Sequence, residues 1–172
     1  MSISIIYTMS VMNIVIGVIV VILLIIVFRY YFSATTKLSG LKDAKVVTKI
    51  SADQLSQSNS SNYAYSAWFY IDDWSYRYGE PKIILGRLDE ELEPSPSIVL
   101  GAIENNLTIH TTVYPSSHSE SSSVTTGSTH SCNVANVPIQ KWVNVIVSLY
   151  GRTLDVYIDG KLVRTCVLPG VP

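Results

Sequence analysis

Charge is scarce in this sequence. Only 15% of its 172 residues are Asp, Glu, Lys or Arg, while 48% are hydrophobic; an ordinary soluble domain carries about 25% charged residues. That combination excludes an intrinsically disordered chain, which needs low hydropathy and high charge. The net charge is −1 and the pI is near 6.3, so there is no cationic footprint for nucleic acid. Two cysteines exclude a disulfide-scaffold miniprotein and a four-thiolate zinc site. No Lys or Arg precedes Arg29, no helical period of useful length follows residue 50, and no Gly-rich phosphate loop or nucleophile elbow occurs.

What is present is concentrated at the front. Val11 to Phe28 is apolar except for Asn13. At about 1.5 Å per residue this run reaches roughly 27 Å, near the thickness of a bilayer core. Its polar side is missing, so it does not read as the surface helix of a soluble domain. A cleaved signal peptide needs a basic start and a shorter apolar core. The predicted organisation is a short N-terminal segment (1–10), a transmembrane helix (11–31), a basic and polar linker (32–62) and a β-domain (63–172). Arg29, Tyr30 and Tyr31 form the aromatic and basic membrane interface.

Charge divides the chain. Residues 29–49 carry five basic side chains and one acid, Asp43, whereas residues 50–172 carry seven basic and twelve acidic ones. The positive-inside rule then puts the domain on the cytoplasmic side and translocates the N-terminus. Asn59 and Asn106 open glycosylation sequons, which would stay bare there and be modified in the opposite orientation.

Beyond the linker, strand signals alternate with turns. Lys45–Ile50 is a candidate first strand. Tyr65–Ile71 is β-favouring on both parities and reads as a strand buried on both faces. Lys82–Gly86, Ser97–Ile103 and Leu107–Val113 follow, the last two joined at Asn105-Asn106. Residues 115–132 are Ser/Thr-rich and read as a long loop. In Trp142–Val167, Gly151-Arg152 and Asp159-Gly160 suit two-residue hairpin turns. They put Leu149 opposite Leu154, Val147 opposite Val156, Val145 opposite Ile158, Val156 opposite Val163, and Asp155 opposite Arg164. The apolar face so formed requires a second sheet over it, because no helix is available. The fold class is all-β, a two-sheet antiparallel β-sandwich behind one helix.

Tyr-Ser-Ala-Trp-Phe-Tyr-Ile (65–71), Pro-Ile-Gln-Lys-Trp-Val-Asn-Val (138–145) and Leu-Asp-Val-Tyr-Ile-Asp-Gly-Lys-Leu-Val (154–163) resemble the concanavalin A-like, laminin-G-like jelly roll over about residues 45–172. The resemblance implies further strands beyond the Gly-Lys-Leu-Val hairpin, so the sandwich is expected to be incomplete at Pro172. One membrane helix, a short linker and such a domain resemble membrane-anchored structural, minor capsid-type proteins of large DNA viruses. That layout implies an internal virion membrane and neighbouring coat proteins as partners.

Chemistry is sparse. Glucanase relatives use alternating carboxylates on one strand, and a retaining glycosidase needs two about 5–5.5 Å apart. The acidic run Asp89-Glu90-Glu91-Leu92-Glu93 lacks that alternation, and Asp72-Asp73 reads as a strand end rather than a calcium site. His118, His130 and Cys132 match no compact zinc spacing. No catalytic, cofactor or metal residue is assigned, and no enzyme is expected. Cys132 and Cys166 are either a disulfide or two reduced thiols. Trp74, Tyr76, Arg77 and Tyr78 form the candidate interaction surface, since Trp, Tyr and Arg are favoured at interfaces. Core packing and glycan stacking compete for the same rings. The expectation is a non-enzymatic, membrane-anchored interaction protein, with a tethered carbohydrate-binding module as the alternative.

Overall fold

The computed structural model describes residues 2–32, 36–55, 62–88, 92–114 and 127–172. The chain divides into two compact units, Met1–Gln57 and Ser58–Pro172.

The first unit is dominated by helix α1, Ser2–Phe32. Within it, Met12–Tyr31 is long and apolar enough to cross a membrane. Every side chain of that stretch is exposed, so the helix presents apolar surface all round. Beyond it, the Val46 N–H bonds the Asp43 carbonyl at 3.2 Å, and Asp43 Oδ1 accepts the Lys45 N–H at 2.9 Å. This turn replaces the start of the strand expected at Lys45–Ile50, which does not form. A strand needs a neighbour for its backbone groups, and Val46 and Val47 stay exposed instead.

Among the described residues the second unit holds eight strands: β1 Tyr63–Tyr70, β2 Lys82–Leu88, β3 Pro94–Leu100, β4 Leu107–Val113, β5 Ser128–Val134, β6 Trp142–Tyr150, β7 Thr153–Ile158 and β8 Lys161–Val167. They make two antiparallel sheets, ordered β1-β6-β7-β8 and β2-β3-β4-β5, and stack as a β-sandwich. Val143, Val145, Val147, Leu149, Leu154 and Val156 from the first sheet form one core with Ile98, Leu100, Leu107, Ile109, Val113 and Val134 from the second. Leu168, fully buried, joins this core from beyond β8. The chain then returns to the end of β4, where Tyr114 and Val171 exchange backbone bonds of 2.7 and 3.0 Å.

Turn chemistry explains the meander. Gly151 and the pair Asp159 and Gly160 have positive φ, the backbone geometry of tight two-residue hairpins. Tyr150 faces Thr153 and Ile158 faces Lys161 across them.

Four expectations are corrected. First, β1 is an edge strand. Its residues alternate between half-buried (Tyr63, Tyr65, Ala67, Phe69) and exposed (Ala64, Ser66, Trp68, Tyr70), so it is not buried on both faces. Second, the β3–β4 turn is wider than Asn105-Asn106. It runs from Gly101, whose N–H bonds the Asn106 carbonyl at 2.9 Å, and a side chain at Gly101 would collide with Asn106 and the Glu104 carbonyl. β3 therefore ends at Leu100. Third, Ser128–Val134 is strand β5, not loop; residues 115–126 of the expected loop lie outside the described residues. Fourth, the β7–β8 register shifts between Val156 and Tyr157, so Val156 faces Arg164 and Asp155 faces Thr165. Val163 is the extra residue of a β-bulge and is exposed rather than part of the core.

Candidate functional site

Among the described residues, the outer face of the β1-β6-β7-β8 sheet carries several exposed aromatic side chains. In an antiparallel sheet, cross-strand partners share a face. One row runs Ser66, Ile146, Tyr157, Leu162 across all four strands; beside it lie the pairs Trp68–Asn144 and Tyr70–Trp142. Trp68 is 65% exposed, Leu162 50%, Trp142 49% and Tyr70 45%. The Tyr70 and Trp142 rings sit 5.7 Å apart at a 55° tilt. With strands spaced about 4.8 Å, the patch covers roughly 300 Å² of sheet face, comparable to the largest apolar patch of a typical monomer.

The patch has a fixed polar floor. Asn144 is buried, and its Nδ2 donates to Ser66 Oγ at 3.0 Å and to the Ala67 carbonyl at 3.4 Å. Its backbone N–H donates to Asp159 Oδ1 at 2.9 Å. The Lys141 ammonium bonds Asp159 Oδ2 at 3.2 Å. These bonds hold the Asp159 carboxyl below the usual range, the Asn144 N–H contributing most and the Lys141 bond next. At the other end the face turns polar, where Thr165 Oγ1 donates to Asp155 Oδ1 at 2.6 Å.

The residues singled out from sequence, Trp74, Tyr76, Arg77 and Tyr78, lie on the connection between β1 and β2. Trp74 packs against the core, with Lys82 Nζ 5.1 Å from its ring centroid. Arg77, at positive φ, pairs with Glu80 at 2.7 Å. Tyr76 and Tyr78 are exposed. Asp73 accepts both the N–H and the Oγ of Ser75, which makes it a turn former. Tyr30 and Tyr31 pack edge to face at 5.5 Å, beside Arg29 in the last turn of α1.

Cys132 on β5 and Cys166 on β8 are joined as a disulfide, their Cα atoms 6.1 Å apart. It links the edge strands of the two sheets. Cys132 is thereby unavailable to the zinc site drawn from sequence; His118 lies outside the described residues. Among the described residues no three His, Cys, Asp or Glu converge as metal ligands. His130 sits on β5, and His110 Nδ1 hydrogen-bonds Ser131 Oγ at 2.9 Å on the outer face of the other sheet. Of the acidic run, Asp89, Glu90 and Glu91 lie outside the described residues, and Glu93 Oε2 accepts from Thr112 and Thr129. Asn59 also lies outside them, while Asn106 Oδ1 is buried in its turn.

The sequence reading buries Trp68 in a strand covered on both faces, apart from the outer face that carries Trp142, Ile146, Tyr157 and Leu162. The missing link was the β1–β6 pairing, which brings Trp68 and Tyr70 onto that face. No protein-family model, curated protein or solved structure matches the chain.

Proposed function

We propose that this is a non-enzymatic, membrane-anchored interaction protein whose β-sandwich binds a neighbouring protein through the outer face around Trp68, Tyr70 and Trp142. One observation carries the reading: aromatic side chains are exposed together on a regular sheet, over a hydrogen-bonded floor, and none of Trp68, Tyr70, Trp142, Tyr157 and Leu162 faces a charged residue across the strands. Interface cores are enriched in Trp and Tyr and depleted of charge. Met12–Tyr31 supplies the anchor, and the basic residues of 29–49 favour a cytoplasmic-side domain. In its most specific form the reading is a minor capsid protein joining an internal virion membrane to the coat. The support for that form, and for a laminin-G-like jelly roll, is the motif and layout resemblance. A disulfide on that side needs an oxidising route of its own.

Glycan stacking on Trp68 and Trp142 is the second reading, favoured by flat exposed rings beside the Ser66 and Asn144 polar groups. Two measurements test the proposal. Alkaline carbonate extraction of membranes should leave the full chain in the pellet; release into the supernatant overturns anchoring. A photo-crosslinking residue at position 142 should give a protein adduct of one discrete mass that disappears with Trp68→Ala. A glycan-array signal lost with the same substitution, and no such adduct, replaces the protein partner with a saccharide.

A further inference from the structure

A β-sandwich of open sheets has four edge strands, each a row of free backbone donors and acceptors that must be guarded or used. Three edges here carry guards. β8 has the Val163 bulge, Lys161, and Arg164 on its core-facing side opposite Val156. β5 is tied to β8 by the Cys132–Cys166 disulfide. β2 has two register shifts and carries Lys82 and Arg87. β1 has none of these devices. It pairs with β6 from Tyr63 to Tyr70 without a shift, and Tyr-Ala-Tyr-Ser-Ala-Trp-Phe-Tyr contains no charge, proline or glycine. Among the described residues no strand lies on its other side.

We infer that β1 is a self-pairing edge: two copies of this chain join β1 to β1 in antiparallel register about a two-fold axis, making one continuous eight-stranded sheet. The side chains argue for a second copy over a different strand. A two-fold axis sets each strand against its own reversed sequence, and like charges facing each other would oppose this; β1 has none. Residues of one face must meet residues of the same face. With the axis at Ser66, Ala64 lies opposite Trp68, Ala67 opposite Tyr65, and Tyr63 opposite Phe69. Small thus meets large, and aromatic meets aromatic. With the axis at Ala67, Ser66 meets Trp68 and Ala64 meets Tyr70, so the complementarity survives the shift. The pairing also merges the two outer aromatic patches to roughly 600 Å², from two of about 300 Å² each. It stands on the strand edges alone and is independent of what that outer face binds.

The test uses the full chain, in detergent micelles and in the membranes where it is made. Ser66→Cys places one thiol near the axis on the exposed side, and the native cysteines are held in their disulfide. A bismaleimide spanning about 8 Å reaches across either register, since same-face diagonal neighbours lie about 7–8 Å apart. The expected product has twice the 19.0 kDa of the chain, with no such product from Tyr150→Cys at the β6–β7 turn. Adding Ala64→Lys and Trp68→Lys, both at exposed outward positions, should cut the product at least tenfold. Circular dichroism and thiol titration should show the fold and disulfide intact, and sedimentation should change from dimer to monomer. Absence of the product, its persistence in the lysine variant, or an adduct of another mass in membranes overturns self-pairing. If the lysine variant fails to fold, Ser66→Cys against Tyr150→Cys still decides.

Discussion

Asp159 and Asn144 are tied to each other twice. The Asp159 N–H donates to the Asn144 carbonyl at 2.9 Å, and Asp159 Oδ1 accepts the Asn144 N–H at 2.9 Å. The Asn144 side chain then reaches Ser66 and Ala67 on β1. The β7–β8 turn is thereby linked through one residue of β6 to the edge strand and to the floor of the aromatic face.

The first prediction concerns acid. The Asp159 carboxyl titrates below its usual value because it accepts the Asn144 N–H and, next, the Lys141 ammonium. A carboxylate with a depressed folded pKa contributes stability that is present above the unfolded pKa and lost as pH falls through the folded one. Asp159→Asn tolerates the positive φ at this position and removes the charge. The variant should melt below the wild type at pH 7, and the gap should close as pH falls below about 4, the unfolded carboxylate value. A gap that stays constant from pH 7 to pH 3 contradicts the assignment.

The second concerns base. Tyr63 OH lies 3.4 Å from Thr111 Oγ1, and Thr111 is fully buried. Burial pushes the Tyr63 phenol above its ordinary value, the Thr111 bond opposing. A raised folded pKa gives stability that is intact below the unfolded value, about 10, and lost as pH climbs through the folded one. Tyr63→Phe should therefore lose stability less steeply above pH 10 in this comparison. At neutral pH it should cost about 0.5–1 kcal/mol, as a long hydrogen bond warrants. Denaturant titration at pH 7 and at pH 11 checks both.

The third separates packing from binding by inverting size. Leu154 is fully buried and Trp68 is exposed. Leu154→Ala should cost about 2–5 kcal/mol through the cavity it leaves. Trp68→Ala removes more atoms yet should stay within about 0.5 kcal/mol, while weakening partner binding. A large stability loss from Trp68→Ala would assign that ring to folding.

The fourth is the cross-link between the sheets. Cys132 and Cys166 are 34 positions apart. Closing such a loop stabilises by about 3–4 kcal/mol in the chain-entropy treatment. Cys132→Ala with Cys166→Ala should lower Tm accordingly, and amide exchange should rise first in β5 and β8, the edges that the bond ties together.

The fold was legible where chemistry is local. Gly151-Arg152 and Asp159-Gly160 set the hairpins, and Val145, Val147, Leu149, Leu154 and Val156 face inward as the alternation requires. It was illegible where partners are distant or polar. Ser128–Val134 hides as a strand because its core-facing positions are His130, Cys132 and Val134, and the rest is Ser, Thr and Asn. The exposure of Trp68 depends on β1 pairing with β6, more than seventy residues away in sequence. The Val163 bulge left one trace. In an unbulged ladder Cys166 would stand opposite Thr153, on the outward parity and away from Cys132.

The last prediction follows from that trace. With Val163 as the extra residue, Arg164 faces Val156 and Cys166 faces Leu154, on the core side where Cys132 lies opposite Ile109. Deleting Val163 removes the bulge without changing those pairings: Leu162 still meets Tyr157, and the next residue, Arg164, meets Val156 in regular alternation. The variant should therefore fold with the disulfide intact and no free thiol on titration in denaturant. Inserting one glycine between Thr165 and Cys166 instead moves Cys166 to the outward parity and should expose two thiols per chain. Free thiols after deletion, or none after insertion, would mean that the bulge does not set the direction of Cys166.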